Sequence, residues 1–224
     1  MIIVNECRVE LLDSLGGDLT VANSARVSMN KVSSLNEDGS LKPADVRLIG
    51  YLAREEHWTP FGHVIFQLRI ACPVFVARQW MRSNVGVVRN EVSRRYVDSP
   101  PEFFLPKTIH SRPDGSIKQG AGGEHQYSDE WLERIENFYK VADFLYKEMI
   151  EDNVAPEEAR MILPLGHMTE FYETGSLAYY ARILKLRLDH HTQGATTSLA
   201  NAVYLAIKDK ASVALHALLS NENA

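Results

Sequence analysis

A chain of 224 residues, 45% hydrophobic and 24% charged, has the size and composition of an ordinary globular protein able to bury a substantial core. Its net charge of −5 excludes a general nucleic-acid binder, which carries a basic surplus. Two cysteines, Cys7 and Cys72, make neither a disulfide framework nor a zinc site, and Cys72 in IACPVFVA reads as a packed core thiol. With no basic segment leading into a long apolar run, and no apolar stretch near ~20 residues, the expectation is a cytoplasmic protein without signal peptide or membrane contact.

In chain order, residues 8–13 (RVELLD) predict a short strand, and Asp18 is expected to cap a helix through Ala25. Residues 31–43 are polar, with Gly39 and Pro43, and read as a loop. Val46, Leu48, Ile49, Tyr51 and Leu52 stripe a helix from Ala44 to about Glu56. HWTPFGH (57–63) is a turn that gathers His57, Thr59 and His63, and Val64–Cys72, rich in branched residues, predicts a strand. Pro73 suits the first turn of a helix running to about Arg82, followed by a polar stretch to Tyr96.

Residues 97–127 read as loop, and GAGG at 120–123 lacks the flanking elements of a phosphate loop. Ser128, Asp129 and Glu130 start a long amphipathic helix expected to bury Trp131, Ile135, Phe138, Ala142 and Leu145. A helix begins at Pro156, residues 168–175 predict a strand, Ser176 caps a helix to about Leu188, and a final helix covers roughly 195–219. Without repeat or linker, the expectation is one domain over 1–224, α/β (α+β). A central mixed or antiparallel sheet is flanked by helices, with long helices at the C-terminal end.

Three groups of residues could carry chemistry. The stretch 75–96 interleaves Arg78, Arg82, Arg89, Arg94 and Arg95 with Gln79, Trp80, Asn90, Glu91 and Ser93. Guanidinium forks grip phosphate bidentately while amides and carboxylates read ring edges; the competing reading is a solvated basic helix and a polar loop. The second group is His57–His63, and the third is LKLRLDHHTQ, with Arg187, Asp189, His190 and His191. The histidine spacing fits neither a zincin nor a phosphohydrolase, so no metal is expected. Neither a Gly-x-Ser-x-Gly elbow nor an activated cysteine is evident. A chain of this kind holds reactants while a cofactor does the chemistry.

In order along the chain, VELLDSLGGDLTVANSARVS, HWTPFGHVIFQ, PVFVARQWMR, NEVSRRY, EEARMILPL and LKLRLDHHTQ resemble the flavin-dependent thymidylate synthases. The resemblance implies transfer of a one-carbon unit from methylenetetrahydrofolate to dUMP, with FAD as hydride carrier, NADPH as reductant, and a homotetramer whose active sites draw on several subunits. It places Gln79, Trp80, Met81 and Arg82 in the dUMP pocket. Glu91, Val92, Ser93, Arg94 and Arg95 match the loop around sugar and phosphate, and Arg160 a further nucleotide-binding arginine. Arg187 matches the catalytic arginine that stabilises negative charge developing on the uracil ring. His57, Thr59, Arg82, Ser83, Asn84, Glu91, Ser176 and Arg182 match positions around the flavin.

The chain departs from the family's Arg-His-Arg, seven residues, Ser signature. Ser83 and Asn84 replace the His and Arg, and eight residues separate Asn84 from Ser93. By charge count, Arg182, or Arg89 on the lengthened loop, restores the lost cation. Beside thymidylate synthesis stand three rivals: a pyrimidine nucleotide hydroxymethylase, a catalytically inactive dUMP-binding paralogue, and a metal-dependent phosphohydrolase.

Overall fold

The computed structural model describes residues 1–113, 120–189 and 194–220. A short β1 (Ile2–Val4) precedes β2 (Arg8–Leu15), and β3 (Ile65–Pro73) follows two helices, α1 (Asp18–Arg26) and α2 (Pro43–Arg54). Helix α3 (Val74–Trp80) leads to β4 (Val87–Glu91), and β5 (Glu102–Phe104) lies before the long α4 (Ser128–Glu151). Helix α5 (Pro156–Ala159), β6 (Met168–Ser176), α6 (Leu177–Leu188), α7 (Gly194–Ile207) and α8 (Ser212–Leu219) complete the order. Strands β2-β3-β6-β4 form an antiparallel sheet, while β1 and β5 pair in parallel.

Alternation on β3 turns Phe66, Leu68, Ile70 and Cys72 to one face, where all four are fully buried. Tyr180, Ile183 and Leu184 of α6 and Leu199 and Val203 of α7 pack in the same core. Burying one such side chain is worth about 1.5–3 kcal/mol, so this layer dominates the fold's stability. Ser176 ends β6 and starts α6 as expected, its hydroxyl accepting from the Tyr179 N–H at 3.2 Å. The loop after α1 is held by Asp45, which accepts from Arg26 Nε at 2.7 Å and from the Ser33 hydroxyl at 2.5 Å. Burial of Asp45 raises its pKa, but the Ser33 and Arg26 bonds outweigh it and hold the carboxyl below its ordinary range.

Five expectations need correction. Residues 87–91 form β4 within the stretch read as polar loop; its inward positions are Val87 and Arg89, the latter paired opposite Glu173, so one apolar inward residue is too few to betray the strand. Residues 102–104, also read as loop, form β5. The final helix is two, α7 and α8. Asp18 does not cap its own helix: it is the first residue of α1, and its carboxylate accepts from the backbone of Val213 and Ala214 at 3.1 and 2.8 Å, capping α8 instead. Helix α4 turns Tyr139, Ala142 and Tyr146 inward against Phe103, Ala159 and Leu163, leaving Trp131, Phe138, Val141, Phe144 and Leu145 exposed.

One buried carboxylate joins strands to helices. Glu173 is 0% exposed and accepts from Arg89 Nε at 2.5 Å, Trp80 Nε1 at 3.0 Å and the Tyr179 hydroxyl at 3.4 Å. Burial pushes its pKa up, and the Arg89 guanidinium pulls it back. Removing one member of such a pair leaves an uncompensated buried charge. Glu173→Gln is therefore expected to cost about 3–5 kcal/mol in urea unfolding, and Arg89→Met with Glu173→Leu together roughly half that or less. Additive losses would show that the two groups are not coupled.

Candidate active site

Arg187, near the end of α6, donates from Nη2 to the Gln79 carbonyl at 2.8 Å, which ties it to α3. The Gln79 side chain is fixed in turn, its Oε1 accepting from the Thr196 hydroxyl at 2.7 Å. Arg187 Nε is buried and has no hydrogen-bond partner. Burial, then the neighbouring Arg82 charge, lowers the Arg187 pKa, though a guanidinium keeps its proton in proteins. Two adjacent cations, one with an orphaned buried N–H, make a spot suited to an anionic planar acceptor.

The residues after β4 form a second group. Glu91 accepts from the Thr169 hydroxyl at 2.6 Å, and the Val92 N–H donates to the Glu170 carbonyl at 2.9 Å. Ser93 accepts from Arg95 Nε at 3.1 Å, and the Arg95 guanidinium lies 5.0 Å from the Tyr96 ring. Arg94 donates to the Ser99 carbonyl and lies 6.0 Å from the centre of the Tyr146 ring on α4, so it ties this loop to the long helix. Exposed Arg160, just past α5, donates to the Glu157 carbonyl at 3.2 Å. Among the described residues no hydrogen bond or ion pair links Arg94, Arg95 or Arg160 with Arg82 or Arg187.

A half-open cleft of about 460 Å³ lies between α2, α6 and residues 85–86. Its walls include Leu52, His57, Trp58, Phe61, Val85, Gly86, Ser176, Tyr179 and Arg182, so three of the residues matched to the flavin, His57, Ser176 and Arg182, meet here. Trp58 is 66% exposed, an aromatic face without cover on the cleft wall. Apolar walls with an arginine beside them fit a flat aromatic ring bearing an anionic tail. Gly86 sits at φ +85°, a conformation that favours glycine.

Several expected contacts fall elsewhere. Trp80 is fully buried and spends its N–H on Glu173, and Met81 packs against the core, because a seven-residue helix on a sheet must turn part of its run inward. Thr59 starts a one-turn helix and is exposed, outside the cleft lining. Arg89 is no rim cation: its guanidinium bonds Glu173, Tyr179, the Ser83 carbonyl and Asn84. Arg182 does line the cleft, donating to the Val85 carbonyl at 2.7 Å. Sequence reasoning missed Tyr179, Trp58 and Glu173, for which no local signal exists. His190 and His191 lie outside the described residues, among which no cluster could hold a metal ion. Nor is any helix among them long and apolar enough to cross a membrane.

A family model described as thymidylate synthase complementing protein matches residues 10–211. The flavin-dependent thymidylate synthase of Thermosipho africanus is 36% identical over 196 residues, 85% of this chain and 81% of that protein. One from Thermus thermophilus is 34% identical over 207 residues, 92% of this chain and 73% of that protein. A crystal structure of the UMP/dUMP methylase PolB from Streptomyces cacaoi, bound with 5-Br dUMP, matches with a TM-score of 0.83 at 26% identity, covering 97% of this chain and 96% of that one.

Beside the second arginine group, His167 bonds the Pro164 carbonyl through Nδ1 at 2.8 Å, and burial, with Arg94 nearby, lowers its pKa from 6.5. The folded state thus releases this proton more readily than the unfolded chain. Its stabilising effect is complete above about pH 6.5 and is lost as pH falls through the lowered folded value. Thermal midpoints are expected to drop below pH 6.5, and His167→Asn to flatten that part of the profile. An unchanged slope would assign the acid sensitivity to other groups.

Proposed function

The chain belongs to the flavin-dependent thymidylate synthases, a family of methyltransferases, and from that premise we propose that it transfers a one-carbon unit from methylenetetrahydrofolate to C5 of dUMP, giving dTMP, with FAD as the flavin and NADPH as reductant. The observation that carries the reading is Arg187: a half-buried guanidinium whose Nε is buried and unpartnered, beside Arg82 and braced by Gln79. A uracil ring gains electron density at N3 and O4 as C5 becomes nucleophilic. A fixed, partly desolvated cation at that edge stabilises the electron-rich form without reorganising. With Gln79 Oε1 engaged by Thr196, the amide nitrogen of Gln79 is left to donate to a ring carbonyl.

His57, Trp58, Val85, Ser176 and Arg182 would hold the flavin in this cleft, and FAD, when bound and reduced, would supply the hydride that completes the methyl group. Arg182 offers positive charge to the cofactor's diphosphate, and the apolar wall excludes water from its ring. Ser93, Arg95 and Arg160 hold the nucleotide's sugar and phosphate. A second copy completes the site. The assembly is a homotetramer, and the exposed face of Trp131, Phe138, Val141 and Leu145 on α4 is available to bury in it. Because PolB is called a UMP/dUMP methylase, both nucleotides are worth offering as substrate.

Incubation of the purified protein with dUMP, FAD, NADPH and methylenetetrahydrofolate is expected to yield a product of dTMP mass. A hydroxymethylated product would move the chain to the hydroxymethylase reading, and tight dUMP binding without turnover to the inactive paralogue. Arg187→Ala is expected to lower kcat/KM by about 100-fold or more. Light scattering is expected to give a particle about four times the 25.3 kDa chain, reduced by Phe138→Asp with Val141→Asp. A monomer with full activity would refute the shared site.

A further inference from the structure

Residues 83–86 connect α3 to β4, and Val85 and Gly86 among them form part of the cleft wall yet have little packing of their own. Val85 is 73% exposed, and Gly86 carries no side chain. A segment with so few apolar contacts opens locally at small cost unless hydrogen bonds hold it. Here they do, at every residue. Arg89 donates to the Ser83 carbonyl at 2.8 Å and to Asn84 Oδ1 at 3.0 Å. Arg182 donates to the Val85 carbonyl at 2.7 Å, and the Ser176 N–H to the Gly86 carbonyl at 3.3 Å.

We infer that Arg89 is a positioning residue for the cofactor: with Arg182 it clamps residues 83–86 from two sides and so sets the wall against which the flavin binds. The inference rests on the proposal that the cleft takes the flavin. Arg89 suits the task because its other bonds go to the fixed interior, Nε to Glu173 at 2.5 Å and Nη2 to the Tyr179 hydroxyl at 2.6 Å. One planar fork therefore links the immobile core, the Tyr179 side of the cleft and the loop that walls it. A lysine, with a single ammonium on a flexible stem, could neutralise Glu173 but could not span all four partners. The Arg89 side chain is only 11% exposed, which suits action through the loop and not by contact with the cofactor.

The test is Arg89→Lys in the full chain, which keeps a cation opposite Glu173 so that the fold survives. Flavin affinity is read by fluorescence titration with FAD, nucleotide affinity by calorimetry with dUMP, and loop opening by hydrogen exchange of the peptide spanning 82–88 without FAD. The expectation is faster exchange of that peptide and about tenfold weaker FAD binding, with dUMP affinity within about twofold of wild type. Arg182→Met, on an exposed side chain outside the core, supplies an independent reading: the same peptide should exchange faster, again with no flavin present. Unchanged exchange in both variants, or FAD affinity within about twofold of wild type in Arg89→Lys, overturns the clamp. If wild type binds FAD and only the variant's expected loss is missing, the clamp alone falls; if wild type binds dUMP but not FAD, the flavin reading of the cleft falls and takes the clamp with it.

Discussion

A carboxylate placed in a dry interior is costly unless its lone pairs find donors, and the fold turns on how Glu173 meets that demand. Its donors come from three places: Arg89 on β4, Trp80 at the end of α3, and Tyr179 on α6. Satisfying one charge on β6 therefore fixes the edge strand and two helices at once. Those two helices carry the candidate chemistry, since Gln79 precedes Trp80 in α3 and Arg187 lies about two turns beyond Tyr179 in α6. The 2.8 Å bond from Arg187 to the Gln79 carbonyl closes the arrangement at the far end. The geometry of the proposed base-binding spot is thus inherited from a buried ion pair that has no part in the reaction.

The arginines sort by whether a carboxylate answers them. Arg26 and Arg89 pair with the buried Asp45 and Glu173, and Arg69 with half-buried Glu170. Among the described residues no carboxylate pairs with Arg82, Arg95, Arg160 or Arg187. In a protein of net charge −5, cations left unanswered in two groups point to an anion that arrives from outside. An arginine bonded only to backbone carbonyls, such as Arg160 or Arg187, keeps its full charge for that purpose.

Which parts are legible in the sequence follows from where the controlling contacts lie. Ser176 as a cap, the branched run of β3 and the order of six motifs are local features, and each reads off a short window. Strand β4 is hidden because one of its two inward positions is an arginine whose partner is 84 residues away. The break between α7 and α8 is hidden because the cap comes from Asp18, 195 residues distant. Helix α4 carries apolar residues on more than one face, so periodicity could not choose the face its own chain buries. Trp80 shows the opposite error: lying inside a ligand-binding motif it reads as a ligand contact, whereas its ring fills the core and its N–H belongs to Glu173.

The replacement of a family histidine and arginine by Ser83 and Asn84 takes on a physical meaning in this setting. A guanidinium cannot both answer a buried carboxylate and reach outward to a cofactor, because its fork is planar and its donors are fixed in direction. Arg89, five residues past Asn84, is committed inward. Positive charge at the cleft comes from α6, where Arg182 gives one N–H to the Val85 carbonyl and remains exposed, with Lys185 also on the cleft wall. Loop and helix thus divide two duties between them, holding the wall and presenting a cation.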